Sequence, residues 1–378
     1  MEKLKPIGGK IWTKPFQVLT VLAVIGVVFL IKRFVFGLGD VTGLNDGYPW
    51  GLWIVYDVVT GTAVACGGYA MAALVYIFNK GEYHPLVRSA LAVSVLGYTL
   101  ASFAIIFDVG RYWQLYNVFM PDYFNPHSAM FEVASCISLY IIVMWIEFSP
   151  AFLERFNKPK LLKIVNKLMF IFIGLGVLLP TMHQSSLGTL MIAAGEKLSP
   201  LFQTMFLPLL FLITAITMGY AIVIFESLFS SYGLKRPAET AMLSRLAKTI
   251  PWLIAVFFIL RLGDIIYRGA FGLIFKFDLA SIMFWIEMLM MGYAMVVLFS
   301  EANRKSTQKL FITAIVMVLA GALYRFDTFI VVFSPGHGYH YFPAFQEIMI
   351  TVGVIAMEIM AYLVVIKRLP VLPEVKHA

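Results

Sequence analysis

The sequence predicts an all-α integral membrane protein of about ten transmembrane helices, on three observations. The first is composition. Of 378 residues, 61% are hydrophobic and 13% charged, against roughly 25% charged in a soluble domain. Only lipid can solvate that apolar excess. The second is a set of ten apolar runs, each close to the roughly 20 residues a helix needs to cross a bilayer. The third is the placing of charge, because basic residues gather in alternate loops. The net charge is +8, yet no basic stripe stands apart from the membrane segments, so no nucleic acid partner is expected.

The runs fall near 17–36, 52–78, 86–107, 127–148, 164–182, 202–227, 249–267, 279–299, 309–332 and 346–367. The basic stretch "MEKLKPIGGKIWTKPF" precedes the first run, and no small-residue cleavage site follows. That pattern reads as an uncleaved helix rather than a signal peptide. The termini and the loops after spans two, four, six and eight hold 21 of the 29 Lys and Arg residues. Positive-inside then puts both termini in the cytoplasm. The outward loops at 37–53, 108–127 and 333–343 are rich in Gly, Pro and aromatic residues. Trp50, Trp53 and Trp113 suit an interfacial belt; the same loops also suit a surface on which a protein docks.

Three echoes recur at offsets of 151, 153 and 155: 68–78 with 219–229, 108–111 with 261–264, and Glu132 with Glu287. They predict two parallel four-helix bundles, 52–182 and 202–332, flanked by the helices at 17–36 and 346–367, all in one membrane domain.

Ionisable groups inside a membrane are expensive, so each is a functional candidate. Asp57, Asp108, Arg111, Glu132 and His183 come from four consecutive spans and all fall near the outer leaflet. Tyr98 lies roughly 15 Å deeper than Asp108 at helical rise. Each has a structural reading too. Asp108 and Arg111 could be an i,i+3 ion pair, Asp57 a backbone cap, His183 an interfacial ring, and Tyr98 a core phenol. Glu147 and Glu226, near the cytoplasmic ends of spans four and six, are interfacial carboxylates or an entrance for protons. Arg261, Asp264, Glu287, Arg325 and Asp327 form a self-neutralising set in the second bundle, which reads as structural. His337 and His340 read as surface residues, and Cys66 and Cys136 as buried hydrophobes; two cysteines are too few for a four-cysteine cluster, and no metal set is expected.

Titratable groups at one leaflet suit a quinone, which takes up two electrons and two protons on reduction. A b-type haem held across a bundle needs paired axial ligands. The six histidines, at 84, 127, 183, 337, 340 and 377, read as lying in loops, at helix ends or in the tail, so no haem is expected. Electrons would then come from a partner docked outside.

The motifs "PIGGKI" (6–11), "FGLGDV" (36–41), "PWGLWI" (49–54), "ACGGYA" (65–70), "YHPLVR" (83–88), "DVGRYW" (108–113), "LLPTMHQSSLG" (178–188), "IVIFE" (222–226) and "MFWIE" (283–287) resemble the NrfD/PsrC family of quinone-reactive membrane subunits. Within it, the likeness is strongest to the Hyb-type membrane subunits of nickel–iron hydrogenases, and it covers nearly the whole chain. The resemblance implies a bacterial inner-membrane module without haem or iron–sulfur cluster of its own. It would receive electrons from a periplasmic iron–sulfur subunit, fed by the hydrogenase large and small subunits, and reduce menaquinone at a site in the first bundle. In that setting Glu132 and His183 would bond the quinone carbonyls and supply protons. Asp57 and Tyr98 would position the head group or relay protons, and Asp108 and Arg111 would shape the site. Two other readings stay open. One is the same module serving polysulfide or nitrite reduction. The other is a proton-coupled transporter, which should show interrupted helices meeting at the bilayer midplane.

Overall fold

The structure is a computed structural model that describes residues 4–373; His377 lies outside them. Among the described residues, ten helices are long and apolar enough to cross a membrane. In order they are Lys14–Phe36, Ile54–Ile77, Gly81–Asp108, Ala129–Arg155, Pro159–Ala193, Leu207–Gly233, Thr240–Tyr267, Leu279–Phe299, Thr307–Val331 and Phe345–Arg368, called spans one to ten below. The protein is an all-α integral membrane protein. The two ends of the described stretch meet: Leu4–Lys5 pairs antiparallel with Leu372–Pro373. Both ends therefore lie on one side, called the terminal face; the other side is the distal face.

Span two packs on three, three on four, four on five, and five returns to two. Spans six to nine close on one another in the same way, nine returning to six. The two groups meet where spans two and five lie against span six and span two meets span nine. Gly219 permits the close approach there, since a Cβ on it would come 2.7 Å from the Cys66 carbonyl oxygen. Arg325 ties the seam, donating from buried Nη atoms to the Val59 carbonyl at 2.9 Å and the Phe211 carbonyl at 2.8 Å. Spans one and ten cross at Gly26 and Gly353, and a Cβ on either would lie 2.8 Å from the other's Cα. Small residues at such a crossing let backbones pack without side chains between them.

Two departures from the expected spans matter for the site. Span two is irregular: π-helical over Ile54–Gly61, broken at Ala65 and Cys66, and π-helical again over Ala73–Ile77. Ser94 of span three staples the break, donating to the Ala65 carbonyl at 2.5 Å and accepting from the Gly68 N–H at 2.8 Å. Those freed backbone groups are satisfied inside protein, which is what makes an interruption tolerable at membrane depth. An interrupted helix, expected only of the transporter reading, is thus present in this fold. Span five runs on to Ala193, eleven residues past the expected end at 182. The polar step after Thr181 does not end the helix, because its hydroxyls bond back to carbonyls one turn earlier: Ser186 to Met182 at 2.8 Å and Thr189 to Ser185 at 3.3 Å.

Candidate functional site

The continuation of span five changes where His183 lies. It sits ten residues inside the helix, about 15 Å from its distal end, and is 1% exposed. The expectation of a histidine closing the span at the surface, with none mid-span, is corrected. Thr62, at the distal side of the break in span two, holds the ring: its Oγ1 lies 3.0 Å from His183 Nε2 and accepts from Gln184 Nε2 at 3.1 Å. The Thr62 hydroxyl donates to the Val58 carbonyl at 2.5 Å, and the Gln184 amide nitrogen, a donor only, lies 3.2 Å from the same His183 Nε2. His183 Nε2 is thus engaged by both neighbours, while Nδ1 is buried without a protein partner, as is Gln184 Oε1.

Tyr98 completes this floor. Its ring stands edge-on to His183 at 5.9 Å and to Tyr140 at 4.7 Å, and its hydroxyl lies 3.5 Å from Cys66 Sγ. Tyr69 of span two reaches Thr181 of span five at 2.9 Å. Spans two, three, four and five thus all contribute to one buried polar cluster.

Glu132 does not join it. It occupies the first turn of span four, half-buried. Glu147 of span four packs on Gly176 of span five, and the antiparallel register from that pair sets Tyr140 level with His183 and Glu132 level with Met191. Glu132 is then about 12 Å nearer the distal face than His183. The expectation that both bond one quinone ring is corrected on that spacing. Arg111 is exposed in the distal loop and is not the partner of Asp108 among the described ion pairs. Arg33 of span one lies there instead. It is buried and donates to the Phe107 and Val109 carbonyls, both at 2.7 Å, on either side of Asp108. A cation at a helix C-terminus complements the orphan carbonyls there. Asp57 is buried in the π-helical turn, with Oδ2 unpartnered, and Asp108 Oδ1 is likewise unpartnered.

The sequence reading missed three charged groups on the flanking helices. Glu358 of span ten approaches Gly97, beside Tyr98; a Cβ on Gly97 would lie 3.1 Å from its Oε1. Arg33 and Glu347 are the others. The rule that flagged Asp57 would have flagged all three had spans one and ten been searched. Glu347 is saturated, accepting from the Gly43 and Ala344 N–H groups at 2.8 Å and the Tyr341 hydroxyl at 2.7 Å. Burial, and then the Glu347 carboxylate, raise the Tyr341 phenol above its ordinary value. This set fastens the 37–53 loop to span ten and reads as structural.

In the terminal half of the same bundle lies a cavity of about 520 Å³, lined among others by Gly68, Tyr76, His84, Arg88, Glu147 and Glu154. Arg88 is clasped by Glu154 at 2.6 and 2.9 Å, while Glu147 Oε1 is buried without a partner. Glu226 of span six is buried and bonded by the Tyr362 hydroxyl. In the second bundle Arg261 pairs with Glu287 inside a box of Phe202, Phe257, Phe284 and Tyr324, at 4.8 to 5.7 Å from the ring centres. Asp264 pairs instead with Arg268 at 2.7 Å. Among the described residues no three His, Cys, Asp or Glu side chains converge as a metal-ligand set.

Comparison with known proteins agrees with this architecture. The family model described as "Polysulphide reductase, NrfD" matches residues 40–335. The chain is 48% identical over 376 residues, 99% of its length and 96% of the relative's, to the "Probable Ni/Fe-hydrogenase 2 b-type cytochrome subunit" of Escherichia coli. A second full-length relative, from Nitratidesulfovibrio vulgaris, is 31% identical over 95% of both chains. The integral membrane subunit of menaquinone reductase from that bacterium is 34% identical over 158 residues, 40% of this chain and 37% of its own. On the breadth of these matches, the chain belongs to the NrfD family.

Proposed function

We propose that this chain is the quinone-reactive membrane subunit of a hydrogenase-type respiratory complex, passing electrons from an iron–sulfur partner to menaquinone. One observation carries the reading. The distal half of the first bundle holds six buried polar atoms without protein partners: Asp57 Oδ2, Thr60 Oγ1, Asp108 Oδ1, Ser135 Oγ, His183 Nδ1 and Gln184 Oε1. A buried polar group left unpaired costs roughly 1–3 kcal/mol, a cost that a polar ligand bonding these atoms would offset. A quinone head group meets it with one oxygen at His183 Nδ1, the ring nitrogen that no protein group engages. Glu132, Asp108 and Asp57 line the approach from the distal face and supply protons rather than sharing the ring with His183. The relatives named for a hydrogenase and a menaquinone reductase support the redox class over the transporter and over polysulfide or nitrite reduction.

On this reading the terminal face is cytoplasmic and the partners dock on the distal loops, where the large and small hydrogenase subunits deliver electrons through the iron–sulfur subunit. The cavity at Glu147 and the Glu226–Tyr362 pair provide for proton uptake from the opposite side. Each proton drawn across works against about 2.3 kcal/mol per 100 mV.

The name of the Escherichia coli relative implies a b-type haem, and the residues here do not fit one held by two histidines. His183 spends Nε2 on Thr62. His84 lies near the terminal end of span three and His127, His337 and His340 lie in distal segments, so among the described residues no second ring faces it. The purified chain should show no Soret absorption; a stoichiometric haem spectrum overturns this assignment.

The decisive experiment purifies the chain with its co-purifying subunits and follows hydrogen-driven reduction of a menaquinone analogue. His183→Ala and Glu132→Gln should each lower that rate by about a hundredfold or more, the scale of a lost proton-transfer group, while hydrogen oxidation with a soluble acceptor is unchanged. A wild-type complex inert toward quinone sinks the function. Full activity in both variants sinks the site.

A further inference from the structure

On the terminal face, away from the site above, a groove of about 590 Å³ lies between two short helices, Thr240–Ala247 and Glu301–Lys305. Arg245, Lys248, Arg304 and Lys305 line it, with Glu301 as the one carboxylate. Two of the cations have acidic neighbours: Lys305 lies 2.7 Å from Glu301, and Arg245 lies 3.5 Å from Glu82. Lys248 and Arg304 have no such partner among the described ion pairs.

Arg304 is the unusual member. It is only 8% exposed, and its Nη1 is held by the carbonyls that end span eight, Leu298 at 2.5 Å and Phe299 at 3.0 Å. Its Nε is buried with no partner. A guanidinium held in place by two carbonyls, in the lining of a groove of excess positive charge, is set up for a phosphate oxygen.

The surroundings say which phosphate. Lys248 stands two residues before the helix Ile250–Tyr267 enters the apolar region, and Ser300 follows the last residue of span eight. Immediately beyond, Trp252, 62% exposed, packs edge-on against exposed Phe299 at 5.3 Å. Val256 and Ile259 of span seven and Val296 of span eight continue as an exposed apolar strip. A soluble anion has no use for such a strip, whereas an acyl chain does. Basic pockets between transmembrane helices at the positively charged face of a membrane protein suit anionic lipid headgroups.

We propose that this groove binds an anionic glycerophospholipid of the adjoining leaflet. Its phosphodiester meets Arg304, Lys248 and Lys305, and its acyl chains lie along Trp252, Phe299, Val256 and Val296.

The test uses the full chain in a neutral detergent. Thermal stability and native mass spectrometry are followed as phosphatidylglycerol, phosphatidylcholine or inorganic phosphate is added. Phosphatidylglycerol should bind and raise the melting temperature, and the other two should not. Lys248→Gln and Lys305→Gln, both exposed and remote from the quinone site, should each weaken phosphatidylglycerol binding about fivefold, the worth of one cation near an anionic surface, with quinone reduction unaltered. Arg304→Gln should abolish the selectivity, and the two exposed variants keep the test valid if it fails to fold. Equal response to phosphatidylcholine, equal response to inorganic phosphate, or unchanged affinity in both lysine variants overturns the proposal.

Discussion

Thr62 holds the buried His183 ring of the first bundle through a single hydroxyl. Its oxygen lies 3.0 Å from His183 Nε2 and accepts from Gln184 Nε2, which leaves Nδ1 as the ring nitrogen without a protein partner. Thr62→Val keeps the volume and removes the oxygen, so His183 and Gln184 lose a shared partner. Interhelical polar bonds in membranes are worth roughly 0.6–1.7 kcal/mol, so the variant should lose about 1 kcal/mol of stability. Quinone reduction should fall by more than that loss explains, and Thr62→Ser should restore both. A melting curve and a reduction assay on the same preparations decide it, and wild-type behaviour of Thr62→Val removes the hydroxyl from the site. Residue types at this scale were readable; partners were not. Composition alone marks Asp57 and His183 as costly, but the guanidinium beside Asp108 comes from position 33, which no i,i+3 rule can find. Glu358 reaches Tyr98's neighbour from the last helix for the same reason.

Helices as units were legible because lipid imposes one requirement on all of them: enough apolar residues to cross. Their ends and interruptions obey different physics. Span five continues through "HQSSLGT" because Ser and Thr can bond to their own helix, so polarity there does not signal an exit from the membrane. Span two breaks at Ala65 and Cys66 because Ser94 on another helix takes up the freed groups, a condition visible only in three dimensions, although the glycines at 61, 67 and 68 hint at it. The crossing of spans one and ten gives an element-scale prediction. A methyl group on Gly26 would meet the Gly353 Cα at 2.8 Å, and its backbone cannot yield as a flexible side chain would. Gly26→Ala should cost about 1–3 kcal/mol, the usual penalty for overpacking. Gly174→Ala on span five, with nothing within 4 Å of the added atom, should leave the melting temperature where it is. Equal melting of both variants and the parent would show that the two flanking helices are not held by this contact.

For the whole molecule the open question is which way it faces. The paired strands at Leu4–Lys5 and Leu372–Pro373 put both ends on one side without saying which compartment that is. Charge supplies the direction. Short loops rich in Lys and Arg resist translocation, and the terminal face carries most of them, including the run from Arg155 to Lys167. The distal face carries exposed Trp113, Tyr116 and Tyr123, aromatic area of the kind that partner proteins cover. On the proposed function, reversal would put the electron donor and the cavity at Glu147 on exchanged sides, so orientation would decide whether quinone reduction adds to the proton gradient or only spends electrons. The native cysteines, Cys66 and Cys136, are both buried, which makes introduced thiols readable against a silent background. In intact cells stripped of their outer membrane, a membrane-impermeant maleimide should label Lys276→Cys, in the distal loop between spans seven and eight. It should reach Lys158→Cys, between spans four and five, only after the membrane is opened. Labelling in the opposite order places the termini outside, and the proton path drawn through Glu147 would then run from the wrong compartment.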